Sequence, residues 1–300
     1  MQRTQDYKNP SSKSGHWQCA SLLLCLFLTL RCSSVLPGIE TGRIVNTAIS
    51  EASGIVASRS HRNLLWVHND SGDRARLFAI NRQGESIAEI RLEGIDNRDW
   101  EDIAIGSGPA ADTDFIYLAD IGDNRARYDR VFIHRFPEPD PESNAVPAEQ
   151  IKTLTLRYPD GPRDAEALLF DPIRSELYIL SKRELQIHVY RLPLDAFSAE
   201  SAQPELIGQL DLQGITGGDI SADGTRILLK DYDDVYYWQR RPDESVFEAL
   251  QRQALFPPYC REPQGEAICW HPNGKSFFTL SEGLNQPLYF YSLKSMDWPE

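Results

Sequence analysis

The sequence predicts an all-β fold, a single β-propeller, on three observations. From residue 43 onward the apolar runs are short, rich in Val, Ile, Leu, Phe and Tyr, and broken by polar turns, as strands are and helices are not. A pattern of mostly acidic lead-in, apolar run, turn, second apolar run and polar stop returns from residues 51, 99, 164, 214 and 264. Asp223-Gly224 and Asn273-Gly274, both hairpin-turn pairs, fall in the same slot of two successive units. A lone four-stranded sheet exposes two apolar faces, so five such sheets bury them by stacking radially around an axis. Two separate sandwiches would have no reason to keep one repeat in phase throughout.

The units follow in order. The first opens Glu51-Ala-Ser53-Gly54, returns as Leu64 to Val67, stops at His68-Asn69-Asp70-Ser-Gly72-Asp73 and adds strands at Ala75 to Ile80 and Ser86 to Leu92. The second leads with Asp99-Trp100-Glu101-Asp102, returns as Phe115 to Leu118 and stops at Asp120-Ile-Gly122-Asp123-Asn124. Strands at Arg130 to Phe136 and Ile151 to Leu156 flank a proline-rich excursion from Pro137 to Pro147. The third starts at Asp164-Ala-Glu166-Ala, the fourth at Thr216-Gly-Gly-Asp and the fifth at Gly265-Glu266-Ala. Five blades result, with room for a sixth in the long segment from 99 to 163. The fifth unit shows three strands, and Gly42 to Ile49 precedes the first, so this N-terminal piece is expected to close the ring as the outer strand of the last blade.

Residues 1 to 34 are set apart as a signal peptide or N-terminal anchor, leaving 35 to 300 as the propeller domain. Arg3, Lys8 and Lys13 precede the apolar run Ala20 to Leu30, which is too short to cross a bilayer comfortably. Secretion or periplasmic export is the expectation, with anchoring through residues 20 to 30 as the other outcome. Without this segment 27 basic residues face 43 acidic ones. Such a surface repels phosphate backbones and anionic membranes, excludes nucleic acid as a partner class, and suits divalent cations and neutral or cationic ligands. Cys260 and Cys269 are the cysteines left in the domain, and the spacing is open between a disulfide and two free thiols.

Ligands reach a propeller at the mouth of its axis, where the lead-ins of the first strands lie. Alignment of the units puts Ser53, Glu101, Glu166, Thr216 and Glu266 in one ring, with Glu51, Asp99, Asp164, Gly214 and Gln264 two residues earlier. Crowded carboxylates hold one another protonated unless a positive charge lies between them. Oxygen-rich sites of this kind bind calcium, and Asn69, Asp99, Glu101, Asp120, Asp123, Asp164, Glu166 and Glu266 are the candidate metal ligands. The same acids also serve as turn-defining hydrogen-bond acceptors without a tight cation. Lys182, Lys230 and Glu282 occupy roughly the slot of Asp70 and Asp120, as counter-charges or anion guides. His68 with Asp70 is the candidate for activating water. Trp100, in a polar lead-in, is a candidate exposed platform for carbohydrate. No nucleophile elbow or zincin helix occurs in the sequence.

Through Asn69-Asp-Ser-Gly-Asp, Asp99-Trp-Glu-Asp, Asp120-Ile-Gly-Asp-Asn, Asp164-Ala-Glu-Ala and Gln264-Gly-Glu-Ala, residues 42 to 293 resemble calcium-dependent propellers. These are paraoxonase, gluconolactonase, β-propeller phytase and the secreted proteins described as phytase-like or esterase-like. The resemblance implies a calcium ion near the axis, with Glu101, Glu166 and Asn69 as the nearest ligands by residue type. Two functions follow as expectations. One is binding of a small molecule or protein at the channel mouth through a metal-stabilised acidic rim; the other is calcium-dependent hydrolysis of esters, lactones or phosphoesters.

Overall fold

The computed structural model describes residues 38–293, and in them the chain forms five sheets whose main strands are antiparallel. Blade 1 holds Ala52–Ala57, Leu64–Asn69, Arg76–Asn81 and Ser86–Leu92; blade 2 holds Trp100–Ser107, Asp114–Asp120, Val131–Pro137 and Lys152–Leu156. Blade 3 holds Ala165–Asp171, Glu176–Ser181, Ile187–Pro193 and Glu205–Leu210. Blade 4 has three strands, Gly217–Ile220, Arg226–Lys230 and Val235–Gln239, and blade 5 has Gly265–Trp270, Ser276–Ser281 and Pro287–Ser292. The segment from 99 to 163 thus contributes one blade and no sixth.

Alternation along the strands explains the radial stacking. In blade 1, Ile55, Val67 and Phe78 pack against Ala267, Cys269 and Phe278 of blade 5. Their neighbours Val56, Trp66 and Leu77 face the other way, onto Trp100, Ile103 and Ile116 of blade 2. Equivalent apolar layers separate blades 2 and 3, 3 and 4, and 4 and 5. Both faces of every sheet are therefore buried, which a period of two in apolar residues on each face requires. The aromatic residues Trp66, Tyr117, Tyr178 and Phe278 of the second strands all belong to these layers.

Closure is by an N-terminal strand, as expected, but of the expected residues 42 to 49 only Gly42 and Arg43 take part in it. Ile39–Arg43 pairs antiparallel with Pro287–Ser292, while 44 to 49 turns away, Ile49 N–H donating to Asn46 O at 3.0 Å. Later loops cover the outer edges of earlier blades. Ala145–Val146 adds a parallel strand to blade 1 and Ser201–Ala202 does so for blade 2. On blade 3 the ring of Phe247, from the short helix Val246–Leu250, lies against the space beside Gly208. Covered edges cannot pair with another chain. Asp223-Gly224 and Asn273-Gly274 make equivalent hairpins, with Gly224 at φ +72° and Gly274 at φ +61°. Cys260 and Cys269 are free thiols.

Candidate acidic centre at the axial mouth

A repeated backbone irregularity builds the site. Where the first strand meets the second, the register shifts between Ala52 and Gly54, Trp100 and Asp102, Ala165 and Ala167, and Gly265 and Ala267. Ser53, Glu101, Glu166 and Glu266 are the extra residues of these four bulges. A bulge re-aims the side chain it carries, and here it buries three carboxyls at the ends of the innermost strands. Blade 4 pairs without a shift, and its Thr216 hydroxyl lies 3.4 Å from Glu266 O. Ser53 Oγ donates to Glu101 O at 2.8 Å, so the ring also ties neighbouring blades together.

Two groups of carboxylates share Glu101. Asp70, Asp99 and Glu101 offer oxygens within 4.8 Å of one another, and so do Glu101, Asp164 and Glu166. Gly122 makes room for them, because a Cβ there would strike Glu101 Oε1 and Asp99 Cγ. Burial, reinforced by the charge of Glu166, pushes Glu101 well above the usual carboxylic range. Burial raises Glu166 to about 7 although Lys182 opposes it, and raises Asp70 to about 6 with help from Asp99. Asp99 is also raised, by burial and by Asp164. Without a cation the group holds protons that ordinary carboxylates would release.

The second group is largely satisfied by the protein. Glu166 Oε1 pairs with Lys182 Nζ at 2.8 Å, and Asp164 accepts from Asp123 N–H at 2.8 Å and Arg183 Nε at 2.6 Å. From Lys182 the contacts continue around the mouth: Nζ to Tyr232 OH at 3.0 Å, then Tyr232 OH to Glu266 Oε1 at 2.7 Å. Glu282 adjoins Glu266 and is raised to about 9, first by burial and then by that neighbour. The first group, Asp70, Asp99 and Glu101, is the more open one, since Asp70 and Asp99 are only half-buried.

The other sequence candidates have different partners for their side chains. Asn69 spends its carboxamide on Ala48 O, Glu51 N–H and Asp73, as a turn residue does. Asp120 faces Arg98 at 3.1 Å, and Asp123 accepts from Tyr128 N–H at 2.6 Å. His68 is fully buried, edge-on to Trp100 at 5.9 Å, with Nδ1 3.0 Å from Asn69 O; burial lowers it to about 4. Trp100 is no exposed platform, because the strand already begins at this residue and carries its ring into the layer between blades 1 and 2. Sequence reasoning missed Tyr232, which lies among the acids of Asp231-Tyr-Asp-Asp234. It also missed the division of labour that gives Lys182 to Glu166 and buries Lys230 against Asp231 O and Gly265 O at 2.8 and 2.6 Å.

These residues define a five-bladed β-propeller with an acidic centre at one axial mouth, able in principle to coordinate a metal. No family model and no curated protein matches the sequence. Among solved structures, the chain is similar to the Dos1 propeller at 11% identity, over 81% of this chain and 68% of that one, with a TM-score of 0.38. At that distance the likeness carries no argument about chemistry. Among the described residues no helix is long and apolar enough to cross a membrane.

Proposed function

We propose that the propeller binds a divalent cation, calcium by the chemistry of its donors, through Asp70, Asp99 and Glu101, and that the metal-tied rim holds a small ligand or a protein partner. The observation that carries the reading is the convergence of three carboxylates with raised proton affinities, Asp70 among them only half-buried and Arg98 offsetting Asp99 only in part. An all-oxygen donor set with flexible geometry favours calcium over softer metals. Lys182 already neutralises Glu166, so the Asp164 and Glu166 side supports Glu101 rather than holding a second ion. Calorimetry on chelator-treated protein, beside Glu101→Gln, tests the reading through loss of calcium binding in a folded variant. Export through the run Ala20 to Leu30, which lies outside the described residues, belongs to the same reading; the N-terminal sequence of the mature protein tests it.

Hydrolysis is the second reading, and one observation favours it. Asp70, half-buried at the open side of the group and outside any ion pair among the described residues, would be the carboxylate placed to accept a proton from water if Asp99 and Glu101 alone held the cation. Turnover of an ester, lactone or phosphoester that needs calcium and disappears in Glu166→Ala would support it. Background rates across all three classes would remove it for those substrates.

A further inference from the structure

One cavity at the opposite end of the strands is lined by cationic side chains. The first-strand hairpin of blade 1, the turn after its third strand and the first hairpin of blade 5 enclose a cavity of about 240 Å³. Arg59, Arg62, Arg82, His61 and His271 line it, with Ala57, Leu64 and Leu65 in its walls and no carboxylate among the lining residues. A six-residue strand, Ala52–Ala57, separates this end from the acidic mouth, about 20 Å at the usual rise per residue. In a chain of formal net charge -13, such a concentration of cationic groups is a local reversal of the field.

The acids near this face are already engaged. Asp114 takes Arg59 at 3.1 Å, and Glu138 accepts from Ser60 N–H and Trp66 Nε1 at 3.1 and 2.9 Å. Glu85 is held by Asn81 at 2.6 Å, and Asp219, behind Arg59, accepts from Trp270 N–H at 2.8 Å. Arg62 and Arg82 have no ion pair among the described residues, and Arg82 is only partly exposed. Their mutual repulsion, added to burial, depresses Arg82. His271 accepts Asn273 N–H at Nδ1, 3.0 Å, so the neutral ring carries its proton on Nε2. Arg82 also lies over the Phe278 ring, 6.0 Å from its centroid; two guanidinium forks without carboxylate partners and an imidazole donor around a small cavity are complementary to an oxyanion.

The geometry points to a second binding site, independent of the acidic centre, in which Arg62 and Arg82 bind a phosphate group with His271 as a further donor. The cavity is too small for a polymer backbone and fits inorganic phosphate or the phosphate of a small monoester. The whole-molecule charge still repels nucleic acid, while the pocket offers a local well. Calorimetric titration of the full chain, with chelator present and about 0.15 M salt to screen distant charges, uses inorganic phosphate and glycerol 3-phosphate as probes. Saturable one-site binding is expected, weakened at least about tenfold by Arg62→Gln and by Arg82→Gln, as loss of a charge-assisted contact implies. Equal affinity for both probes assigns the free anion, and tighter binding of glycerol 3-phosphate assigns a monoester. Arg62 is exposed in a turn, so its variant keeps the test valid even if Arg82→Gln does not fold. No saturation by either probe, or binding indifferent to Arg62→Gln, overturns the proposal.

Discussion

Gly122 shows how one residue sets the acidic centre. Its backbone needs no special conformation; the space beside it does, because Glu101 and Asp99 occupy the volume of a side chain. Gly122→Ala is expected to cost about 1 to 3 kcal/mol, the usual range for overpacking, and to weaken calcium binding more than tenfold, checked by urea unfolding and calorimetry. The carboxyls also predict a pH dependence. Glu166 and Glu262, each raised to about 7, release protons in the fold well above their unfolded values, so their contribution to stability is complete in acid and lost as pH rises through 7. His68 and His134, lowered to about 4, act oppositely but only below about 6.5, and Lys230, lowered to about 8, acts oppositely above that value. Glu282, raised to about 9, has the same sign as Glu166 and Glu262 up to that value. Between pH 6.5 and 8, chelated protein should therefore lose unfolding free energy, and with it Tm, as pH rises, by up to about 1.4 kcal/mol per pH unit for each extra proton the native state binds. Calcium should reverse the trend; a flat or rising apo profile would contradict it. Glu101, Glu166 and Glu266 were legible in the sequence because the repeat aligns them. Asn69 and His68 were not separable from them, since residue type does not say whether a side chain turns toward the axis or into its own turn.

At the scale of elements, the bulge is the device that was not legible, because register is a property of a strand pair and not of either strand. The lead-ins do send Asp99 and Asp164 to the same centre as Glu101 and Glu166, whereas Glu51 stays exposed and Asp70, just past the end of the second strand of blade 1, joins in its place. The closing strand was placed too late for a similar reason. Ile39-Glu-Thr-Gly-Arg43 is a half-exposed edge with no apolar alternation, whereas Ile44 to Ile49 reads as a strand but holds the turn fixed by Asn46. Between blades 3 and 4 a buried pair, Arg240 Nη1 to Asp171 Oδ1 at 2.8 Å, is supported by Arg240 Nε donating to Glu244 O at 2.6 Å. Arg240→Met would leave Asp171 buried without its partner, and a loss of about 3 to 5 kcal/mol in denaturant unfolding is expected. A loss under about 1 kcal/mol would contradict a structural role for the pair.

Across the whole molecule, the five-blade count was legible because period, hairpin signals and in-phase alternation agree at every level. The cationic pocket was not, since its arginines come from two turns of blade 1 and its histidine from blade 5, which only closure brings together. Closure itself can be tested at Gly42, where a Cβ would meet Gln83 O in the blade 1 turn. Gly42→Val should lower Tm by several degrees and raise exchange of the Pro287–Ser292 amides, read by hydrogen exchange; unchanged protection would remove the N-terminal strand as the latch. The acidic centre and the ring depend on each other, because Glu101 and Glu166 come from different blades. Calcium titration of chelator-treated protein by calorimetry, beside Glu101→Gln, asks most directly whether that convergence is a metal site. One calcium bound per chain, lost in the folded variant, is the predicted result; a wild-type protein that binds no calcium would contradict it and leave the acids as hydrogen-bonded joints between blades.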